Sequence, residues 1–139
     1  AGRCAMKVAT WSSRNISLLV GGTDVERELA AGKLWQVVDV HSEYRDAIVD
    51  SGALPRVIEM LRFGTPTGRL HAAGLLRALA FNNLQYQEMI IEAETLPEMC
   101  TLLQSGPEDV KEQVAGILAY LAAIDVHHRN EVVAAGAIG

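Results

Sequence analysis

A repeat of about 42 residues constrains this 139-residue chain more than any other feature of its sequence. The clearest copy runs over residues 44–83, and its apolar and glycine positions recur one step later without a gap. Identical residues in this register are Ile48/Ile90, Leu54/Leu96, Pro55/Pro97, Gly64/Gly106, Ala73/Ala115, Gly74/Gly116 and Leu76/Leu118, and one step earlier Leu19, Gly22, Ala31, Gly32 and Leu34. A period of this length predicts a solenoid, a propeller or an array, in which each repeat buries its apolar face against its neighbours.

The apolar residues within each copy have the spacing of amphipathic helices. Glycine and proline separate these segments and predict three helices in the central repeat, at about 42–51, 55–63 and 67–81, with Ser42 and Thr67 as N-caps. The next copy predicts helices near 84–93, 97–104 and 107–123, and the first copy predicts helices near 2–9, 13–20 and 24–40. The chain is therefore predicted to be one all-α solenoid, residues 1–139, with repeats at about 1–41, 42–83 and 84–125 and a partial fourth at 126–139.

The composition argues against several classes of partner. The net charge of -5 is unlike that of proteins that bind duplex nucleic acid, which carry a basic stripe. No apolar run has the length of a membrane span. The first ten residues lack the hydrophobic stretch of a signal peptide and an initiating methionine, so we expect an excised fragment. Cys4 and Cys100 are expected to be two reduced thiols, which suits an intracellular protein, cytoplasmic or nuclear.

No group of residues predicts catalysis or metal binding. The sequence has no Ser–His–Asp order, no glycine loop for phosphate and no carboxylate pair in a supporting context. His127 and His128 are adjacent, so on a helix their side chains point about 100° apart and converge poorly on one ion. We therefore predict that the chain is not an enzyme and binds no metal or cofactor.

Three glycines, Gly32, Gly74 and Gly116, recur in the middle of the predicted third helices. Each costs about 1 kcal/mol in helix propensity relative to alanine. Their recurrence indicates close approach to the backbone, either by a neighbouring helix or by a bound chain. Trp35 lies one repeat before Arg77, which predicts that these two side chains stack on adjacent third helices, for structure or for contact with a partner.

The repeat resembles that of the armadillo family. The segments that carry the resemblance are IVDSGALPRVIEML (48–61), Gly64 and HAAGLLRALA (71–80), with second copies IIEAETLPEMCTLL (90–103), Gly106 and QVAGILAYLA (113–122). The resemblance covers almost the whole chain, but Trp11-Ser12-Ser13 replaces Ala-Leu-Pro, and Glu94 stands where the family has a turn glycine. It implies a right-handed α-solenoid with three helices per repeat, whose third helices line a concave groove that binds an extended peptide or a partner protein.

Helical geometry, with Ala78 taken as the groove direction, gives the residues that the resemblance places in this groove. They are Lys33, Gln36, His71, Leu75, Ala78, Phe81, Asn82, Gln113, Ile117 and Tyr120, flanked by the stack of Trp35 and Arg77. Tyr120 either lines the groove or fills the core. The strip suits a peptide held through its backbone and some apolar side chains. It lacks the Trp–Asn pairs of importin-α-type repeats and the basic row of β-catenin-type repeats, so a nuclear-import receptor is not expected.

Two other roles stay open at this stage. The chain ends are apolar, with Val132, Val133 and Ile138 near the last residue, which favours a homo-oligomer stacked through its terminal repeats. Alternatively, the repeats are the regulatory domain of a larger protein such as a ubiquitin ligase.

Overall fold

The structure is a computed structural model that describes the backbone of residues 2–122 and the side chains of residues 11–122. Over that range the chain forms eight α-helices and no strand, which confirms the all-α class. The helices are α1 (Gly2–Gly21), α2 (Asp24–Val40), α3 (Tyr44–Asp50), α4 (Leu54–Phe63), α5 (Pro66–Ala80), α6 (Leu84–Glu92), α7 (Leu96–Ser105) and α8 (Glu108–Ala122). The predicted partial repeat at 126–139, with His127 and His128, lies outside the described residues.

The second and third repeats each have three helices, as predicted: a short first helix, a slightly longer second helix, called here the medium helix, and a long third helix. Pro55 and Pro97 each stand in the first turn of the medium helix, where the missing proline N–H costs no hydrogen bond. Gly64 and Gly106 end these helices with extended backbone, which turns the chain into the long helix. The same residues at the same step therefore produce the same local structure.

The first repeat departs from the sequence prediction. The helices expected near 2–9 and 13–20 are one continuous helix, α1. The other repeats have a turn at residues 51–53 and 93–95, followed by Pro55 or Pro97, whereas the first repeat has Ser13 in place of the proline, and neither glycine nor proline interrupts the backbone hydrogen bonds there. Three helices per repeat thus holds for the second and third repeats, while the described first repeat has two.

The N-terminal caps are partly as predicted. Thr23 caps α2 in a capping box with Glu26, and its backbone N–H and its hydroxyl hold the pKa of the Glu26 carboxyl below the ordinary value. The hydrogen bond from the Thr23 N–H to this carboxylate is therefore present at neutral pH, and its contribution to stability is lost as the pH falls through that lowered pKa. The prediction of Thr67 as the cap of α5 was wrong. Thr65 is the cap, because Pro66 already occupies the first turn, and Thr65 Oγ1 accepts a hydrogen bond from the Gly68 N–H at 3.0 Å.

The start of α3 also differs from the prediction. The helix begins at Tyr44 after Glu43, without a side-chain cap hydrogen bond, so Ser42 is not its N-cap. The carbonyl of Ser42 instead accepts hydrogen bonds from the Arg45 backbone and side chain, which form a turn ahead of the helix.

The chain divides into two compact units, an N-terminal unit that ends at Leu75 and a C-terminal unit that begins at Leu76, within α5. In the N-terminal unit α1 packs against α2 and α4, and in the C-terminal unit α7 packs against α8. The side chains expected to recur in the core, Leu34, Ile48, Leu76, Ile90 and Leu118, are all buried. None of the helices in the described part has both the length and the hydropathy that crossing a membrane requires.

Two arginines one repeat apart each form a hydrogen bond between neighbouring helices of the N-terminal unit. The Arg27 guanidinium on α2 donates to the carbonyl of Val20 at 3.4 Å, and the Arg69 guanidinium on α5 donates to the carbonyl of Arg62 at 3.1 Å. Both acceptors lie at the end of the preceding helix, where backbone carbonyls lack partners within that helix. The identity of Arg27 and Arg69 at equivalent positions of successive repeats is the sequence signal of this contact.

Candidate functional site

The mid-helix glycines of α2 and α5 lie against aromatic side chains of the neighbouring third helix. A Cβ atom added to Gly74 would lie 2.3 Å from Cε2 of Trp35, and one added to Gly32 would lie 2.6 Å from Cε1 of His71. Such distances leave no room for even a methyl group. Of the two explanations that the sequence allowed for these glycines, close packing by a neighbouring helix is the one that the structure shows.

The C-terminal unit repeats this contact with a different side chain. A Cβ atom added to Gly116 on α8 would lie 2.4 Å from Nε of Arg77 on α5. Arg77 stands one repeat after Trp35, and Gly116 stands one repeat after Gly74. In the C-terminal unit a guanidinium therefore packs on the glycine where the N-terminal unit has an indole. The stack of Trp35 on Arg77 stays a prediction.

We call the α2–α5 contact of the N-terminal unit the N-terminal seam, formed by Gly32, Trp35, His71 and Gly74. Nδ1 of His71 lies 2.8 Å from the carbonyl oxygen of Glu28 and donates a hydrogen bond to it. The rings of Trp35 and His71 have their centroids 6.5 Å apart at an angle of 58°. Both side chains are half-buried, so each is fixed on one side and open on the other.

We call the corresponding contact in the C-terminal unit the C-terminal seam, formed by Arg77, Phe81, Gln113, Gly116 and Tyr120. Nη1 of Arg77 donates to Oε1 of Gln113 at 3.3 Å. One turn further along, the rings of Phe81 and Tyr120 have their centroids 5.7 Å apart at an angle of 59°. Phe81 is 49% exposed, whereas Arg77, Gln113 and Tyr120 are half-buried. The seam therefore presents a cation, an amide and an aromatic pair to solvent.

The structure separates the predicted groove residues into surface and core. Leu75 and Ile117 are fully buried, so their prediction as groove residues was wrong. Leu75 lies three residues before Ala78, and Ile117 lies three residues before Tyr120. On a helix, residues three apart point about 60° away from each other, and here that difference directs Leu75 and Ile117 towards the core. The remaining candidates reach the surface, and their role in binding stays a prediction: Lys33, Gln36, Phe81 and Asn82 are exposed, and His71, Ala78, Gln113 and Tyr120 are half-buried, as are the flanking Trp35 and Arg77.

Sequence reasoning missed the pairing of Arg77 with Gln113. The signal was a joint exchange: Trp35 and His71 of the N-terminal seam correspond, one repeat later, to Arg77 and Gln113. His71 hydrogen-bonds to the carbonyl oxygen of Glu28, whereas Gln113 accepts a hydrogen bond from Arg77, so each seam pairs its polar groups in its own way.

The described residues outside the seams include a buried thiol and a charged cleft. No cluster of three or more His, Cys, Asp or Glu side chains in this part could hold a metal ion. Cys100 is buried, and burial raises the pKa of its thiol, so the reactive thiolate is disfavoured. A cleft of about 220 Å³ in the N-terminal unit is lined by charged side chains, but Arg56 is paired with Glu59 at 3.2 Å and Glu28 accepts from Thr65 at 2.9 Å.

Comparison with known protein families identifies one of the repeats directly. Residues 83–123 match the family model described as Armadillo/beta-catenin-like repeat. A search of curated proteins gave no match.

Solved structures share the fold over most of the chain. A structure of computationally designed armadillo repeat proteins for modular peptide recognition superimposes with a TM-score of 0.78 and 22% identity, over 89% of this chain and 52% of that one. A designed armadillo repeat protein in complex with the peptide (KR)4 gives a TM-score of 0.80 and 20% identity, over 96% of this chain and 56% of that one. A further engineered protein gives 0.77 and 22%, over 91% and 51%. The chain spans about half the length of these structures, and at this identity the likeness shows the fold.

Proposed function

We propose that this armadillo-repeat chain is an intracellular interaction scaffold that binds an extended segment of a partner protein on the exposed faces of α2, α5 and α8. The observation that carries the proposal is the construction of the two seams. Side chains such as Trp35 and Arg77 are fixed against a glycine on one side and open to solvent on the other. Side chains that are already ordered lose little conformational entropy when a partner binds, which favours binding.

The chemistry of these faces suits a peptide backbone together with apolar side chains. The amides of Gln36, Asn82 and Gln113 each offer a donor and an acceptor, as a peptide group in an extended chain requires. Phe81 and Tyr120 add aromatic surface, which is enriched at the energetically dominant positions of protein interfaces. Two of the structurally similar designed proteins are described as recognising or binding peptides, which supports the same use of the fold here.

We expect the double variant Gln36→Ala and Tyr120→Ala to lose peptide binding. Peptides are first selected on the unchanged chain from a random dodecapeptide library displayed on phage, and their dissociation constants are then measured by fluorescence anisotropy. Loss of an amide contact and an aromatic contact raises the dissociation constant by about tenfold or more. Gln104→Ala, an exposed amide on α7, is the control and leaves binding unchanged. A library that yields no binder, or a double variant that binds as tightly as the unchanged chain, contradicts the proposal.

A second candidate function is self-assembly through α2. Leu29 and Val25 are 54% and 67% exposed, and they lie one turn apart on the same helix face. His71 and Gln113 occupy the position of Leu29 in the second and third repeats. Both are half-buried, because His71 packs against α2 and Gln113 contacts Arg77 on α5. The apolar face of α2 is therefore where the third helix of a second copy would pack.

We expect light scattering to show a mass that rises with concentration, and a smaller rise for the double variant Val25→Thr and Leu29→Gln. The reason is that burial of two apolar side chains contributes about 1.5–3 kcal/mol each when complete. Val40→Thr removes an apolar side chain at the end of α2 that is 75% exposed, and it serves as the control. A monomeric mass at every concentration contradicts this second function, and the proposal that the chain binds peptides still stands.

A further inference from the structure

The charge of Arg77 has no acidic partner within the described part of the C-terminal unit. The cations there are Arg77 and Lys111, and Nζ of Lys111 lies 3.5 Å from Oε1 of Glu108 on the same helix. Arg77 instead donates to the neutral amide of Gln113. A half-buried cation whose hydrogen-bond acceptor, among the described residues, is an amide oxygen keeps most of its capacity to bind an anion.

The guanidinium is also held in place. It lies on Gly116, whose missing side chain makes room for it, and Gln113 fixes one of its nitrogens. An arginine binds a carboxylate with two parallel N–H groups, and it loses less entropy in doing so when its plane is already fixed. The other nitrogens of Arg77 and the N–H groups of the Gln113 amide are the donors that such an anion would meet.

An aromatic pair lies next to this cation. Phe81 follows directly after the end of α5, four residues beyond Arg77, and its ring contacts Tyr120, which is one turn after Gly116 on α8. A segment bound in extended conformation would therefore place one side chain at the guanidinium and a neighbouring one at the rings, since residues along such a segment rise about 3.3 Å each.

We infer that the C-terminal seam selects partner segments with a carboxylate side chain close to an apolar residue, the carboxylate on Arg77 and the apolar side chain on Phe81 and Tyr120. The inference rests on the proposed function and names the chemistry of its ligand. The N-terminal seam has uncharged Trp35 in the place of Arg77, so the preference for an acid belongs to the C-terminal seam.

The surrounding charges favour a carboxylate over a phosphate group. Asp109 and Glu112 are exposed on α8, and Asp109 lies one turn before Gln113, roughly 6 Å along the helix axis. A single guanidinium balances one negative charge, whereas sites for phosphorylated segments use clusters of arginines. A phosphate group, with a charge of about -1.5 to -2, would be repelled more strongly by the two acids.

The test selects peptides from the same displayed dodecapeptide library on the unchanged chain and on Arg77 variants. We expect peptides from the unchanged chain to be enriched in Asp or Glu within three positions of an apolar residue. Arg77→Gln removes the charge, and Arg77→Trp installs the residue that already packs on a glycine at position 35, so we expect the second variant to keep a contact on Gly116. Both variants lose the acidic enrichment but still select apolar residues. For a selected peptide we expect the dissociation constant to rise about tenfold or more with either variant.

Lys111→Gln is the matched control, because it removes the same charge from the same unit outside the seam, and it keeps the acidic preference. Binders without acidic enrichment, or with enrichment that survives both Arg77 variants, overturn this inference while the proposed function stands. A selected peptide that binds more tightly after its acid is replaced by phosphoserine overturns the assignment to a carboxylate. The absence of any binder contradicts the proposed function itself.

Discussion

Replacement of Gly74 by alanine is expected to lower the free energy of unfolding by about 2 kcal/mol, although alanine is the better helix former by about 1 kcal/mol. The reason is the indole of Trp35, which fills the place of the new methyl group at 2.3–2.5 Å. A rigid ring can relieve this overlap only by moving as a whole, and the neighbouring ring of His71 limits that movement. Urea denaturation followed by circular dichroism measures the change.

Two other glycines separate this effect from a general effect of helix propensity. Gly116→Ala meets the Arg77 side chain at 2.4 Å, but an arginine has flexible bonds, so we expect a smaller loss than at Gly74. Gly21 has nothing within 4 Å, and Gly21→Ala is expected to leave stability unchanged within about 0.5 kcal/mol. In the background of Trp35→Ala, Gly74→Ala is expected to become neutral or stabilising. If Gly74→Ala changes the free energy of unfolding equally with and without the Trp35 side chain, the contact between residue 74 and Trp35 is not the cause of the loss of stability.

The local structure of the repeats could be predicted from the sequence where glycine and proline mark the boundaries. Segment 24–40 was predicted as a helix with the bounds that α2 has, and Pro55 was placed in the first turn of α4. The prediction failed at Ser12-Ser13, where the period suggested a break but the residues themselves favour no break. A repeat predicts the same helix boundaries in each copy, but the residues of each copy determine whether a boundary forms.

The candidate site was harder to predict because it depends on which side chains meet across two helices. A position on a helix face identified His71 and Tyr120 as surface residues, but the same reasoning placed Leu75 and Ile117 at the surface, although they are buried. The boundary between core and surface on a helix is set by the neighbouring elements, and helical geometry alone does not locate it. The recurrence of Gly74 and Gly116 showed that something approaches the backbone; only the structure shows that Trp35 and Arg77 do.

The turn between the short and the medium helix gives the second prediction of large effect. Gly52 in the second repeat has φ +82°, and Glu94, its counterpart in the third, has φ +58°. Residues with a side chain pay about 1–2 kcal/mol in this left-handed region, where glycine pays almost nothing. We therefore expect Gly52→Ala to lower the free energy of unfolding by about 1–2 kcal/mol and Glu94→Gly to raise it by about 1 kcal/mol, both measured by urea denaturation.

Glu94 takes part in other interactions, so any loss of them must be separated from the relief of backbone strain. Glu94→Ala removes the same side chain but keeps a Cβ atom in the left-handed conformation. The difference between Glu94→Gly and Glu94→Ala then isolates the backbone, and we expect glycine to be the more stable by about 1 kcal/mol. Equal stabilities of these two variants, together with a neutral Gly52→Ala, would mean that the turn tolerates any residue. A loss of stability for Gly52→Ala together with a gain for Glu94→Gly would show that the left-handed backbone of the turn favours glycine at this position of the repeat.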